Sequence, residues 1–147
     1  WIDGVIQGKG IAVYANGTIY EGEFRNARNH GQGTIQYAHG FRYVGEWKDG
    51  LRDGQGVAYY SDGSIYTGEF RDGKRNGLGR LDMTNGFVYE GDWLDGKITG
   101  QGMAQDADNV RYEGGFLNGL RHGQGTLTNA DGSVVEGVWE NGELLQE

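Results

Sequence analysis

Four sets of residues in this chain are of types that do chemistry. The first is a series of carboxylates at recurring places: Glu21, Glu23, Glu46, Glu69, Glu90, Asp92 and Glu113. Carboxylates that share one site bind cations or run acid–base steps. The second is His30, His39 and His122. The third is a series of G-x-G steps, a backbone type that cradles phosphates when a helix start follows. The fourth is basic. Five six-residue stretches, 25–30, 48–53, 71–76, 94–99 and 117–122, hold nine of the 13 Lys and Arg. These are Arg25, Arg28, Lys48, Arg52, Arg71, Lys74, Arg75, Lys97 and Arg121, against four acids, Asp49, Asp53, Asp72 and Asp95.

Spacing removes the first three sets. Equivalent carboxylates sit two strands apart, roughly 10 Å at ~4.8 Å per strand. Carboxylate ligands of one ion sit about 2–2.6 Å from it, so the ladder reads as a solvated face. His30 and His122 are four repeats apart, and all three histidines read as turn residues. No helix start and no G-K-S/T follows any G-x-G. No catalytic residue, metal site or cofactor is expected, and the chain does not read as an enzyme. Cysteine is absent, which excludes disulfides and thiolate sites. No apolar run of 18 residues exists, so no membrane-spanning helix is expected. With no visible signal peptide, the expected location is cytoplasmic, with membrane association as the alternative. The chain opens on Trp1, a motif position, and so reads as cut from something longer. A net charge of −8 argues against nucleic acid as a partner. The nine basic residues remain as an edge suited to an anionic partner.

The elements behind these residues repeat. A large aromatic falls at Trp1, Phe24, Trp47, Phe70, Trp93, Phe116 and Trp139, each 23 residues after the last. A fixed period of this size marks a repeat array. Two segments alternate within it, Y-x-G-x-W/F, as at Tyr66–Phe70, and a segment opening with G-x-G, as at Gly77–Met83. Both read with period two, the geometry of strands. The fold is expected to be all-β: a single-layer antiparallel sheet of about twelve short strands, built from stacked 23-residue hairpins, with no helix. One connector is the six-residue basic stretch. The other is a tight turn such as Asp62-Gly63, and it needs an odd loop or a bulge to keep Tyr60 and Tyr66 on one face.

A single layer must hide apolar surface without a second layer. Of 18 aromatics, 15 occupy three repeat positions on one face, which makes that face the core. Each ring offers about 150–250 Å² for burial, and glycines such as Gly22, Gly31 and Gly33 leave room for it beside Tyr20 and Phe24. Trp and Phe alternate at the large-aromatic position. The residue eleven places later alternates with them, Ala after Trp and Ile or Leu after Phe, which suggests volume compensation in a 46-residue unit. The third inward position reads Tyr14, Tyr37, Tyr60, Met83 and then turns polar at Asp106 and Asn129. The intact apolar tract is therefore Tyr37, Tyr43, Trp47, Tyr60, Tyr66, Phe70, Met83, Tyr89 and Trp93, the expected groove for a partner.

The motif Y-E-G-E-F/W-x-x-G-x-x-x-G-x-G, closing with D-G or N-G at a period of 23, resembles the MORN repeat over essentially the whole chain. The resemblance implies a twisted sheet of stacked hairpins. It also implies a role beside other domains, through protein partners held in an aromatic groove, through dimerisation, or, in a disputed set of members, through lipid. The chain is expected to be one array over 1–147 of about six repeats, with a truncated first unit at 1–19 and a worn last unit at 135–147. Departures stand at Ala27 and Asn109 for Gly, Gly115 for Glu and Val135 for Tyr. The expected function is a non-catalytic scaffold binding a protein or peptide segment, with a homodimer through the array ends as a further expectation. The alternatives are anionic membrane binding through the basic edge, or a regulatory array beside a catalytic domain.

Overall fold

The computed structural model describes residues 7–146; Trp1, the first of the aromatic series, lies outside them. Among the described residues there is no helix. Thirteen strands follow in chain order within one antiparallel sheet. The chain divides into two compact units, Trp1–Lys74 and Arg75–Glu147. The first holds β1 (Gly8–Val13), β2 (Ile19–Arg25), β3 (Arg28–Gln36), β4 (Arg42–Lys48), β5 (Leu51–Tyr59) and β6 (Ile65–Arg71). The second holds β7 (Lys74–Asp82, opening at the last residue of the first unit), β8 (Val88–Leu94), β9 (Lys97–Gln105), β10 (Arg111–Leu117), β11 (Leu120–Thr128), β12 (Val134–Glu140) and β13 (Glu143–Gln146).

The six-residue basic connectors are not loops. The strands run on through them and leave two-residue turns. Asp49 and Gly50 have φ of 47° and 87°, and Asp72-Gly73, Asp95-Gly96, Asn118-Gly119 and Asn141-Gly142 repeat the pattern. Two left-handed residues in a row make the turn whose twist matches that of the strands it joins, and Asp-Gly and Asn-Gly favour it. Each turn is tied to the strand before its hairpin. The Gly50 amide donates to the Asn29 carbonyl at 2.8 Å, and the Asp49 amide donates to His30 Nδ1 at 3.3 Å. Asp53, Asn76 and Thr99 accept the Asp72, Asp95 and Asn118 amides in the same way.

The other turns are the odd loops that the facing of the tyrosines requires. The Gly63 amide donates to the Tyr60 carbonyl at 3.0 Å, and the Tyr60 amide donates to the Ser64 carbonyl at 2.9 Å. Asp62 Oδ1 accepts the Ser64 amide at 2.8 Å, a side-chain turn that Asp and Asn favour. That bond holds the Asp62 carboxyl below the usual carboxylate range.

A bulge recurs inside the hairpins β2–β3, β4–β5, β8–β9 and β10–β11. Gly45 pairs with Gly56 but Trp47 pairs with Arg52, so Asp53, Gly54 and Gln55 stand opposite Glu46 alone. Gly54 takes φ +99° there, and Glu46 Oε2 accepts the Gln55 amide. Glu23 accepts from Gln32 at 2.5 Å and Asp92 from Gln101 at 2.9 Å. This corrects the reading of the carboxylates as one solvated ladder: Glu23, Glu46 and Asp92 are half-buried braces for a bulge. Glu21, Glu90 and Glu113 are exposed.

The core lies on one face of the sheet. Tyr20, Tyr43, Tyr66 and Tyr89 have no exposed surface. The Tyr43 ring covers Gly56, where an added Cβ would lie 2.4 Å from it. Its hydroxyl donates to the Glu46 carbonyl at 2.8 Å. Two edge-on rings seal it, Trp47 of its own strand at 5.2 Å and Phe70 of β6 at 5.0 Å. Edge-on contact suits the ring quadrupole. Tyr20 is sealed likewise by Phe24 at 5.0 Å and by Trp47 at 5.6 Å. Burial pushes both phenols up to about 12.

Candidate functional site

The sequence-derived groove residues separate into two sets. Tyr43, Trp47, Tyr66, Phe70, Tyr89 and Trp93 are core, each at 6 % exposure or less. The indole N–H of Trp47 donates to the Gly33 carbonyl at 3.0 Å, and that of Trp93 to the Gly79 carbonyl at 3.1 Å. Tyr37 and Tyr60 are half-buried, and Met83 is 37 % exposed. These three sit at the odd loops, where the face meets solvent.

In the first unit that rim is a stack of rings. Tyr37 stacks on His39 at 5.3 Å and on Phe41 at 5.6 Å, and Phe41 stacks on Tyr60 at 5.4 Å. Phe41 was not among the aromatics assigned to the face. The signal for it was the residue before each Y-x-G-x-W/F strand pair, Thr18, Phe41, Ser64, Phe87, Val110 and Ser133. Phe41 and Phe87 stand 46 residues apart there, while Thr18 and Ser64 are buried.

The basic edge also separates. Arg25, Arg28, Lys48, Arg71, Lys74 and Lys97 are exposed beside the two-residue turns. Arg52, Arg75 and Arg121 instead lie over the rings of the aromatic face. Arg52 sits 5.1 Å from the Phe41 ring and donates to the Gly73 carbonyl at 3.0 Å. Arg75 sits 4.5 Å from Trp93 and donates to the Gly96 carbonyl at 2.9 Å. Arg121 sits 4.8 Å from Trp139. Simple alternation does not place these side chains, because the bulge at each first G-x-G glycine interrupts the pairing beside them. Cation–π attraction favours each of these contacts.

Two hollows open on the aromatic face of the second unit. One, of about 250 Å³, is lined by Phe87, Ala104, Val110, Phe116, Leu127 and Arg121, with Asp106 and Tyr112 also on its wall. The other, of about 370 Å³, lies among Arg75, Leu81, Trp93, Lys97 and Ile98. On the opposite face of the first unit, a hollow of about 680 Å³ runs past Ile11, Glu21, Thr34 and Val44.

The histidines have local roles. His30 and His39 accept the backbone amides of Asp49 and Phe41. His122 Nδ1 is buried with no partner among the described residues. It lies across the bulge from Gly115, the position where earlier repeats carry the bracing acid. Among the described residues no three His, Asp or Glu side chains gather at one point. No helix of the described residues is long and apolar enough to cross a membrane.

Consecutive hairpins of one plan, with buried rings on one face and tied turns, define a repeat-built all-β array. The chain belongs to the MORN repeat family: six tandem copies match at residues 1–19, 20–41, 43–65, 66–88, 89–111 and 112–134. Repeats of this family form protein- or membrane-binding modules. Comparison with curated proteins gives no match. Among solved structures, the TCP domain of SAS-4 from Drosophila melanogaster, determined in complex with a proline-rich motif of Ana2, aligns with a TM-score of 0.55. The two are 16% identical, over 90% of this chain and 72% of that chain. At that identity the likeness is one of fold.

Proposed function

We propose that the chain is a non-catalytic scaffold that docks a partner protein segment on its aromatic face. The observation that carries this reading is the pair of apolar hollows on that face of the second unit. Buried rings fix the floor, so a partner side chain entering a hollow meets a surface already in place and costs little ordering on the protein side. The stack of Tyr37, Phe41 and Tyr60 gives the first unit its own half-exposed apolar rim. The solved neighbour of this fold was determined with a proline-rich motif bound, which supports a peptide as the kind of partner. Ala104→Phe, which fills the smaller hollow, is expected to weaken capture of binding partners at least tenfold while circular dichroism stays unchanged. Capture that is equally strong with the hollow filled would move the site elsewhere.

A second reading, a peripheral membrane module, is favoured by the exposed Arg25/Arg28 pair and by Lys48 beside Leu51. Flotation of the full chain with vesicles containing 30 mol % phosphatidylserine tests it (about 1 kcal/mol per basic residue near such a surface). The outcome we expect is no flotation. Flotation abolished by Arg25→Gln, Arg28→Gln and Arg71→Gln together would favour the membrane.

A further inference from the structure

The side chains around the two hollows carry an unequal charge. Arg75, Lys97 and Arg121 line them, against one carboxylate, Asp106. Asp106 is already engaged in its own turn, where Oδ1 accepts the Asp108 amide at 2.9 Å and the Val110 amide at 3.0 Å. The chain as a whole carries −8. The cations of this apolar wall therefore stand against the charge of the molecule that holds them. Arg121 is also held in place, with its guanidinium 4.8 Å from the Trp139 ring and 5.8 Å from Tyr112. The guanidinium fork of an arginine receives a carboxylate with two parallel hydrogen bonds.

We infer that the segment docked on this face is an acidic, apolar peptide: one large apolar side chain enters the hollow walled by Phe87, Ala104 and Leu127, and a nearby Asp or Glu pairs with Arg121. The inference rests on the reading of the aromatic face as a docking surface and adds the chemistry of its occupant. Charge complementarity selects that occupant. A basic segment would set like charges against Arg75 and Arg121 in a desolvated wall, the kind of contact that rejects wrong partners. An uncharged proline-rich segment would use the hollows and leave the guanidiniums unused.

The test is selection of phage-displayed random 12-residue peptides on the full chain, run in parallel on Ala104→Phe and Arg121→Gln. Thermal melts of both variants confirm folding, and Arg121→Lys keeps the charge while removing the fork. Peptides selected on the unaltered protein are expected to carry Asp or Glu within about four residues of Leu, Phe or Trp. The best of them, made synthetically, should lose at least tenfold in affinity when its acids become Asn and Gln. That loss should shrink to less than threefold on Arg121→Gln. Selected peptides that need the open hollow but are neutral, proline-rich or basic would overturn the acidic assignment and leave the docking surface standing. Failure to select any peptide, or selection of the same peptides with the hollow filled, would overturn both.

Discussion

Ala27 stands at φ 62° in a turn where the equivalent residues are Gly50, Gly73, Gly96, Gly119 and Gly142. A left-handed conformation costs an L-residue roughly 1–2 kcal/mol. Glycine relieves that strain but raises the entropy of the unfolded chain by about 0.4–1 kcal/mol. The strain is the larger quantity, so Ala27→Gly is expected to stabilise by about 0.5–1 kcal/mol, read as a higher urea midpoint at unchanged slope. The glycines under the tyrosines obey a different rule. A Cβ on Gly56 would meet the Tyr43 ring at 2.4 Å, whereas one on Gly10 would meet Phe24 at 3.5 Å, an ordinary contact. Gly56→Ala should therefore cost about 3 kcal/mol, the upper end of overpacking losses, and Gly10→Ala less than about 0.5 kcal/mol. Equal effects of the two would contradict ring-on-glycine packing. Tyr60 is the accessible counterpart of these rings. Tyr60→Ser should weaken partner binding at least tenfold and move the melting temperature by only a few degrees.

At the scale of the hairpin, the bulge and its brace set the face on which later side chains lie. Glu46→Ala removes the acceptor of the Gln55 amide. Because that site is open to water, the cost should be about 1 kcal/mol, in the ordinary range for one hydrogen bond. Gly115 shows that the brace cannot simply be restored. A Cβ there would lie 2.1 Å from the His122 carbonyl oxygen, so Gly115→Glu should destabilise. A higher melting temperature for that variant would show that the bulge between β10 and β11 readily makes room for the bracing acid. The strands and their facing were legible because period two and the 23-residue register act over several residues each. The facing required an odd loop or a bulge at the tight turns, and the sequence left that choice open. Asp-Gly and Asn-Gly steps also announced the two-residue turns, but the basic residues around them were read as loop. The placement of Arg52, Arg75 and Arg121 was not legible, since a bulge interrupts the pairing at a single residue and leaves no periodic trace. The alternation of Trp with Ala eleven places later is legible too, yet the Trp47 indole leans on β3, the strand before it. Ala58 lies on β5, the strand after it, paired with Tyr43.

At the scale of the molecule, stability should respond to alkali through the tyrosine column. Tyr20 and Tyr43 are held at about 12 by burial, while phenols in the unfolded chain ionise near ~10. Their contribution is complete below about pH 10 and is lost as the pH rises through 12. Urea midpoints should therefore be flat from pH 7 to 9 and fall steeply above 10, with phenolate absorbance rising in step with unfolding. The same column dictates how much chain is needed to fold. Within each unit, Tyr20, Tyr43, Tyr89 and Tyr112 are sealed by one ring of their own strand and one from the next repeat, as Tyr20 is by Phe24 and Trp47. A fragment ending at residue 46 keeps Tyr20 and Tyr43 but lacks Trp47 and Phe70, so both phenols lose a cover that their burial depends on. Isolated hairpins are marginal in water even when intact, and these would expose the rings that hold them together. The fragment 1–46 should give a disordered far-ultraviolet circular dichroism spectrum and no cooperative melt, while the full chain melts cooperatively. A sigmoidal melt of that fragment would mean that a repeat buries its own tyrosine, and that the next repeat's ring adds contact without being required for folding.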